Sequence, residues 1–182
     1  LRAAAEMFET DNAKAAARFR READALMAAI ERSYRESRHL RPRPGFPASP
    51  YRRMDAGAIG SIVADYPLQL WPPNEPRIRD TVDFLMEECF VDGGFFQEMI
   101  HSGINAYLTL QVAQVLLRAG DPRFFDLVET VARKASPTGQ WPEAIHPRTG
   151  GGCMGDGQHV WASAEWVIML RNMFVREEPG RL

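Results

Sequence analysis

A chain of 182 residues, 45% hydrophobic and 25% charged, is the size of one globular domain and does not have the composition of a disordered segment. Its formal charge of −2 gives no electrostatic case for nucleic acid or an anionic membrane as partner. Two cysteines, Cys89 and Cys153, do not make a disulfide scaffold, no apolar run reaches the ~18 residues of a membrane span, and the opening residues do not read as a signal peptide.

The chain opens on Leu1 inside a helical pattern and stops just after another helix, so it reads as an internal piece of a longer protein whose compartment stays open. Residues 1–8 look like the tail of a helix. Thr10 or Asp11 is placed to cap a long helix over roughly 12–37, with Ala16, Phe19, Ala23, Leu26, Met27, Ile30 and Tyr34 at helical spacing. Its arginines alternate with Glu22, Asp24, Glu31 and Glu36, which makes a solvated face rather than a basic patch. Four prolines (Pro42, Pro44, Pro47 and Pro50) then make a stiff connection. An apolar helix is expected within 54–70, an amphipathic one from Glu75-Pro76 to about Phe90, and another ending at Gly120. Asp121-Pro122 opens a helix to about Lys134, and the last runs from about Gln158 to Val175. Strand signals are weak, so the expected fold class is all-α.

One loop occurs twice. Residues 94–101 (Gly-Phe-Phe-Gln-Glu-Met-Ile-His) and 139–146 (Gly-Gln-Trp-Pro-Glu-Ala-Ile-His) align at an offset of 45, matching Phe96 with Trp141, Glu98 with Glu143 and His101 with His146. Such a period marks a supersecondary unit used repeatedly. Short connections alternate with long ones at 38–53, 91–103 and 136–157, and the long ones are rich in Gly, Pro, aromatic and acidic residues. In antiparallel helical hairpins, alternate connections lie on alternate faces. The three rich loops are therefore expected to converge on one face, and binding residues favour loops on a rigid scaffold.

Glu143 follows Trp141-Pro142 in glycine-rich sequence, a carboxylate beside an indole. Aromatic faces bind the apolar faces of sugars, and carboxylates serve as general acid or base in glycosidic cleavage. A plain helix-dipole role for the same acid is the alternative. Glu98, after Phe95-Phe96, is the rival by internal repeat, and the repeat does not choose between them. His101 and His146 suit a sugar hydroxyl or a loop carbonyl. Arg52 and Asp55 meet at a helix start, for substrate or for each other. Asp156 suits an N-cap. Trp161 and Trp166 are five apart, hence on different helix faces, and Trp161 is nearer the loop. No histidines have metal-ligand spacing, and the only lysines, Lys14 and Lys134, sit on helix surfaces, so neither a metal nor a Schiff base is expected. No cofactor is implied.

Several stretches together resemble the C-terminal half of the six-hairpin glycosidases, closest to the bacterial glucoamylase-like enzymes. They are Met54-Asp55-Ala56, the run from Asn74 to Val82, Asp92-Gly93-Gly94-Phe95 and the Ala119-Gly120 turn. The stretch Trp141-Pro142-Glu143-Ala144-Ile145-His146-Pro147-Arg148-Thr149-Gly150 is similar to their late loop, although His146 stands where an acidic residue is usual. The resemblance implies a partial (α/α)6 toroid over residues 1–182, part of one catalytic domain. It also implies an inverting glycoside hydrolase acting on α-glucosides or related oligosaccharides. Glu143 would then be the general base, with the general acid in the remainder of the domain upstream of Leu1. Arg52, Asp55, Phe96, Glu98, His101, Trp141, His146 and Trp161 are the residues expected to contact a carbohydrate. Two alternatives stay open: a sugar epimerase or polysaccharide lyase on the same toroid, with His101 or His146 as acid/base, and an α-helical solenoid that binds a protein partner.

Overall fold

A computed structural model describes residues 1–98, 102–155 and 157–177. The chain divides into two compact units, Leu1–Pro42 and Arg43–Leu182.

In the first unit, α1 (Arg2–Met7) packs on the long α2 (Ala13–Ser37), and the Phe8 and Phe19 rings stack with centroids 5.9 Å apart. The cap of α2 is Asn12 rather than Thr10 or Asp11, its side chain accepting the Ala15 N–H at 3.0 Å. A 3-10 turn, Arg38–Leu40, follows α2, and Arg41 folds back to donate to the Ser37 carbonyl and hydroxyl.

The second unit holds the main core. Its first element, where the sequence suggests an apolar α-helix, is a 3-10 helix at Ala56–Ala64. Asp55 caps it, accepting the Gly57 N–H at 2.9 Å, and Gly57 and Gly60 lower the α propensity of the run. α3 (Pro76–Glu88) opens on a proline, whose missing N–H costs nothing there. α4 (Ala106–Ala119) is buried along most of its length and ends at Gly120, which takes a left-handed φ of 70° that a side chain would resist. α5 (Phe124–Arg133) and α6 (Val160–Phe174) both pack on α4. The core around it is filled by Ile78, Val82 and Leu85 of α3, Leu127 and Val131 of α5, and Met169 of α6.

Two polar features lie inside this core. Arg118 pairs with Asp65 at 2.5 Å, both side chains almost fully buried, and donates to the Trp71 carbonyl at 2.9 Å. Asn172 of α6 donates to the Tyr66 hydroxyl at 2.9 Å and to Gln114 Oε1 at 3.0 Å, and Gln114 donates onward to Glu165 at 3.0 Å.

The all-α expectation is corrected by a five-stranded antiparallel sheet. Its order follows the sequence: β1 (Phe90–Val91), β2 (Gly94–Gln97), β3 (Gly103–Ile104), β4 (Ala144–Ile145) and β5 (Gly152–Met154). These strands have two to four residues, too short to display the alternation that would announce them. Their pairing depends on close backbone approach. A Cβ on Gly94 would meet Ile104 Cγ2 at 2.5 Å, and one on Gly103 would meet Cys153 Sγ at 2.8 Å. The described residues are thus mainly helical with a sheet, and a closed ring of helical hairpins is not displayed by them.

Candidate functional site

The sheet brings two of the three rich loops together. β2 and β3 come from 91–103, β4 and β5 from 136–157, and Ile104 pairs with both Phe96 and Ile145. The third loop goes elsewhere. Gly45 and Phe46 donate their N–H groups to Asp80 and Thr81 of α3, each at 2.8 Å, and Ser61 Oγ donates to the Pro47 carbonyl.

Asn105 is the hinge-pin of the joined loops, and it is fully buried. Its N–H donates to the Phe95 carbonyl at 2.8 Å, and its side-chain oxygen caps α4 by accepting the Leu108 N–H at 3.0 Å. Its side-chain nitrogen donates to Gln97 Oε1 at 3.3 Å and to the Glu143 carbonyl at 3.0 Å. The backbone of Glu143 is thereby tied to the start of α4 and to the neighbouring loop.

Glu143 lines an open cavity of about 430 Å³ with Gln158, His159, Val160 and Trp161. Gly155 crowds it, since a Cβ there would stand 3.0 Å from Glu143 Cβ. Three rings gather beside it. Tyr107 and His159 have centroids 5.3 Å apart, Tyr107 and Trp161 5.7 Å edge-on, and His159 and Trp161 5.7 Å. The Tyr107 hydroxyl is pushed above its ordinary pKa, first by burial and then by the charge of Glu143. The His159 N–H donates to the Trp141 carbonyl at 2.8 Å, which fastens the start of α6 to the Trp141-Pro142-Glu143 segment.

The other expected site residues are distributed differently. Trp161 is 65% exposed at the cavity, but Trp141 is 3% exposed, donates its indole N–H to the Val131 carbonyl at 2.8 Å and packs on Trp166. It offers no open face to a sugar, and the open platform expected of it is not there. Phe96 lies half-buried in β2. Arg52 and Asp55 pair with each other at 2.6 Å, with Asp55 also capping its helix, and neither lines the cavity. His146 uses Nδ1 to accept the Arg148 and Thr149 N–H groups in a turn. Glu98 is exposed just after β2. Burial, with the charges of Asp55, Glu88 and Glu98, pushes the Cys89 thiol up to about 11, which makes it a poor nucleophile. His101 and Asp156 lie outside the described residues. Among the described residues, no three His, Cys, Asp or Glu side chains gather as metal ligands.

Sequence reasoning did not find Asn105, Tyr107, Gln158 or His159 as site residues. Asn105 before an apolar run is an N-cap signal, but its second role needs the sheet. Tyr107 and His159 meet only because α4 and α6 pack side by side.

No family model matches the chain, and no curated protein does. Among solved structures, the fold is similar to that of a glycosidase, seen in wild-type and single-substitution forms. Each has a TM-score of 0.55 and 19% identity, and the matches cover 66% and 67% of this chain. They span 36% of each glycosidase chain. At that identity the likeness is one of fold.

Proposed function

We propose that this chain is part of the catalytic domain of an inverting glycoside hydrolase of the six-hairpin type, acting on α-glucosides or related oligosaccharides, with Glu143 as general base. The observation that carries the reading is a carboxylate on the wall of an open cavity, beside the exposed face of Trp161, in a chain with a glycosidase-like fold. Glu143 would take a proton from a water, and that water would attack the anomeric carbon as the leaving oxygen departs on the far side. The departing oxygen is protonated by a second carboxyl, which this reading places in the remainder of the toroid. Inversion requires the two carboxyls to stand about 6.5–9.5 Å apart, with the water between one of them and the sugar.

Glu143 is preferred to Glu98, its counterpart in the repeat, because Glu143 lines a cavity together with His159 and Trp161, whereas Glu98 is an exposed residue just after β2. The histidine-based alternatives gain little from His146, whose Nδ1 is engaged in a turn.

The test is Glu143→Gln in the protein bearing the whole catalytic domain, assayed on α- and β-linked glucosides with proton NMR of the anomer released. The expected outcome is an inverted product and turnover lowered about 100-fold or more in the variant, the loss typical of a missing general base. Unchanged turnover in the folded variant would remove Glu143 from the mechanism.

A further inference from the structure

We propose that Asn105 and Gln97 act as one positioning unit for Glu143, an amide clamp through which the first copy of the repeated loop holds the second in place. The clamp rests on the glycosidase reading for the role of Glu143 and on hydrogen-bond geometry for the hold.

Topology brings the three residues together. β3 is the central strand of the sheet, with β2 on one side and β4 on the other. Asn105 directly follows β3, Gln97 is the last residue of β2 and Glu143 directly precedes β4. The Asn105 side chain therefore has one loop on each flank. Its single nitrogen, Nδ2, donates to both, to Gln97 Oε1 at 3.3 Å and to the Glu143 carbonyl at 3.0 Å.

The direction of each amide follows from what its partners can do. The Leu108 N–H only donates, so it takes the Asn105 oxygen, at 3.0 Å. The Glu143 carbonyl only accepts, so it takes the Asn105 nitrogen, and the two demands agree. That nitrogen carries a second N–H, and Gln97 meets it by turning its own oxygen inward. Asn105 is fully buried, so leaving either N–H unmet costs free energy and the arrangement resists loosening. The strand carrying Gln97 is held by the same helix start. Phe95 donates its N–H to Thr109 Oγ1 at 2.9 Å and accepts the Asn105 N–H at 2.8 Å.

The two copies of the loop thus do different work. In the second copy Glu143 lines the cavity. In the first copy its counterpart Glu98 is exposed, and the residue before it, Gln97, reaches across to the shared amide. A general base must be held close to its productive place, and that placement depends on supporting groups that never touch substrate.

The test uses the protein bearing the whole catalytic domain and two readouts, glycoside turnover and amide hydrogen exchange over residues 139–146. Asn105→Ser keeps an oxygen for the Leu108 N–H but lacks the amide that reaches both loops. It is expected to lower kcat about 10–100-fold with KM nearly unchanged, the scale of a misplaced catalytic group. Gln97→Ala leaves the helix cap untouched and is expected to lower kcat about threefold to tenfold. Both variants should quicken exchange in 139–146. Gln97→Glu, which keeps the acceptor oxygen, is expected to recover most of the Gln97→Ala loss. In the double variant the losses should not multiply, because the two residues act together. Unchanged exchange in both single variants, multiplying losses, or wild-type kcat in a folded Asn105→Ser protein would overturn the clamp. If the wild type turns over no glycoside, the hydrolase reading fails and exchange alone decides the clamp.

Discussion

Asn105 donates its side-chain N–H to the main-chain carbonyl of Glu143 at 3.0 Å while its side-chain oxygen caps α4. One buried amide therefore fixes both a helix start and the backbone of the candidate base. Asn105→Ala removes the cap and leaves the Glu143 carbonyl without this donor, so a loss of about 2–4 kcal/mol is expected. Asn105→Asp keeps the capping oxygen but not the donor, and is expected to fall between the two. Urea denaturation of the three proteins checks this. If Asn105→Ala unfolds at the wild-type midpoint, Asn105 does not hold the two loops together.

Trp141 and Trp161 are separated by their surroundings, not by their chemistry, and truncation should expose the difference. Trp141→Ala is expected to cost about 3–5 kcal/mol, because it empties a core position and removes the shorter of two hydrogen bonds to the Val131 carbonyl, which keeps the Lys134 N–H at 3.2 Å. Trp161→Ala is expected to change stability by no more than ~0.5 kcal/mol, the range of exposed positions. Thermal unfolding followed by circular dichroism measures both. Equal losses at the two positions would contradict the burial pattern.

Glu165 supplies a pH dependence. Burial raises its carboxyl above the ordinary glutamate value, only partly offset by the hydrogen bond from Gln114. The folded state therefore holds this proton more tightly than the unfolded chain does. The stability linked to it is complete below the ordinary glutamate value of about 4.3 and declines as pH rises through the raised folded value. Glu165→Gln keeps an acceptor for Gln114 without the charge. Its melting temperature is expected to gain on the wild type between pH 4 and pH 7, as scanning calorimetry at several pH values will show. A difference that does not vary with pH would mean Glu165 titrates alike in both states.

How much was legible in the sequence follows from the range of each signal. Helix starts and stops depend on neighbours three or four residues apart, so Pro76, Gly120 and the apolar spacing announce α3, α4 and α5 within a few residues. The 3-10 helix at Ala56–Ala64 was less legible, since its apolar pattern fits either helix type. The sheet was hidden because its strands are shorter than one readable alternation, and the partner of Gly94 is Ile104, across a tight approach that no local pattern encodes.

The sequence by itself determined the chemical inventory: a repeated loop of aromatic and acidic residues, a helical frame, and too few lysines, cysteines and clustered histidines for several other chemistries. Only the tertiary structure decided which copies serve what. It buried Trp141 against Trp166 and Val131, spent Asp55 on a cap and Arg52, and set His146 in a turn. It also opened Glu143 to a cavity walled by Trp161 and by His159, 18 and 16 positions further along the chain. The reason is physical. A residue's type fixes what it can do, but exposure and partners come from packing between α4, α6 and the sheet, which act across distances that local sequence does not record.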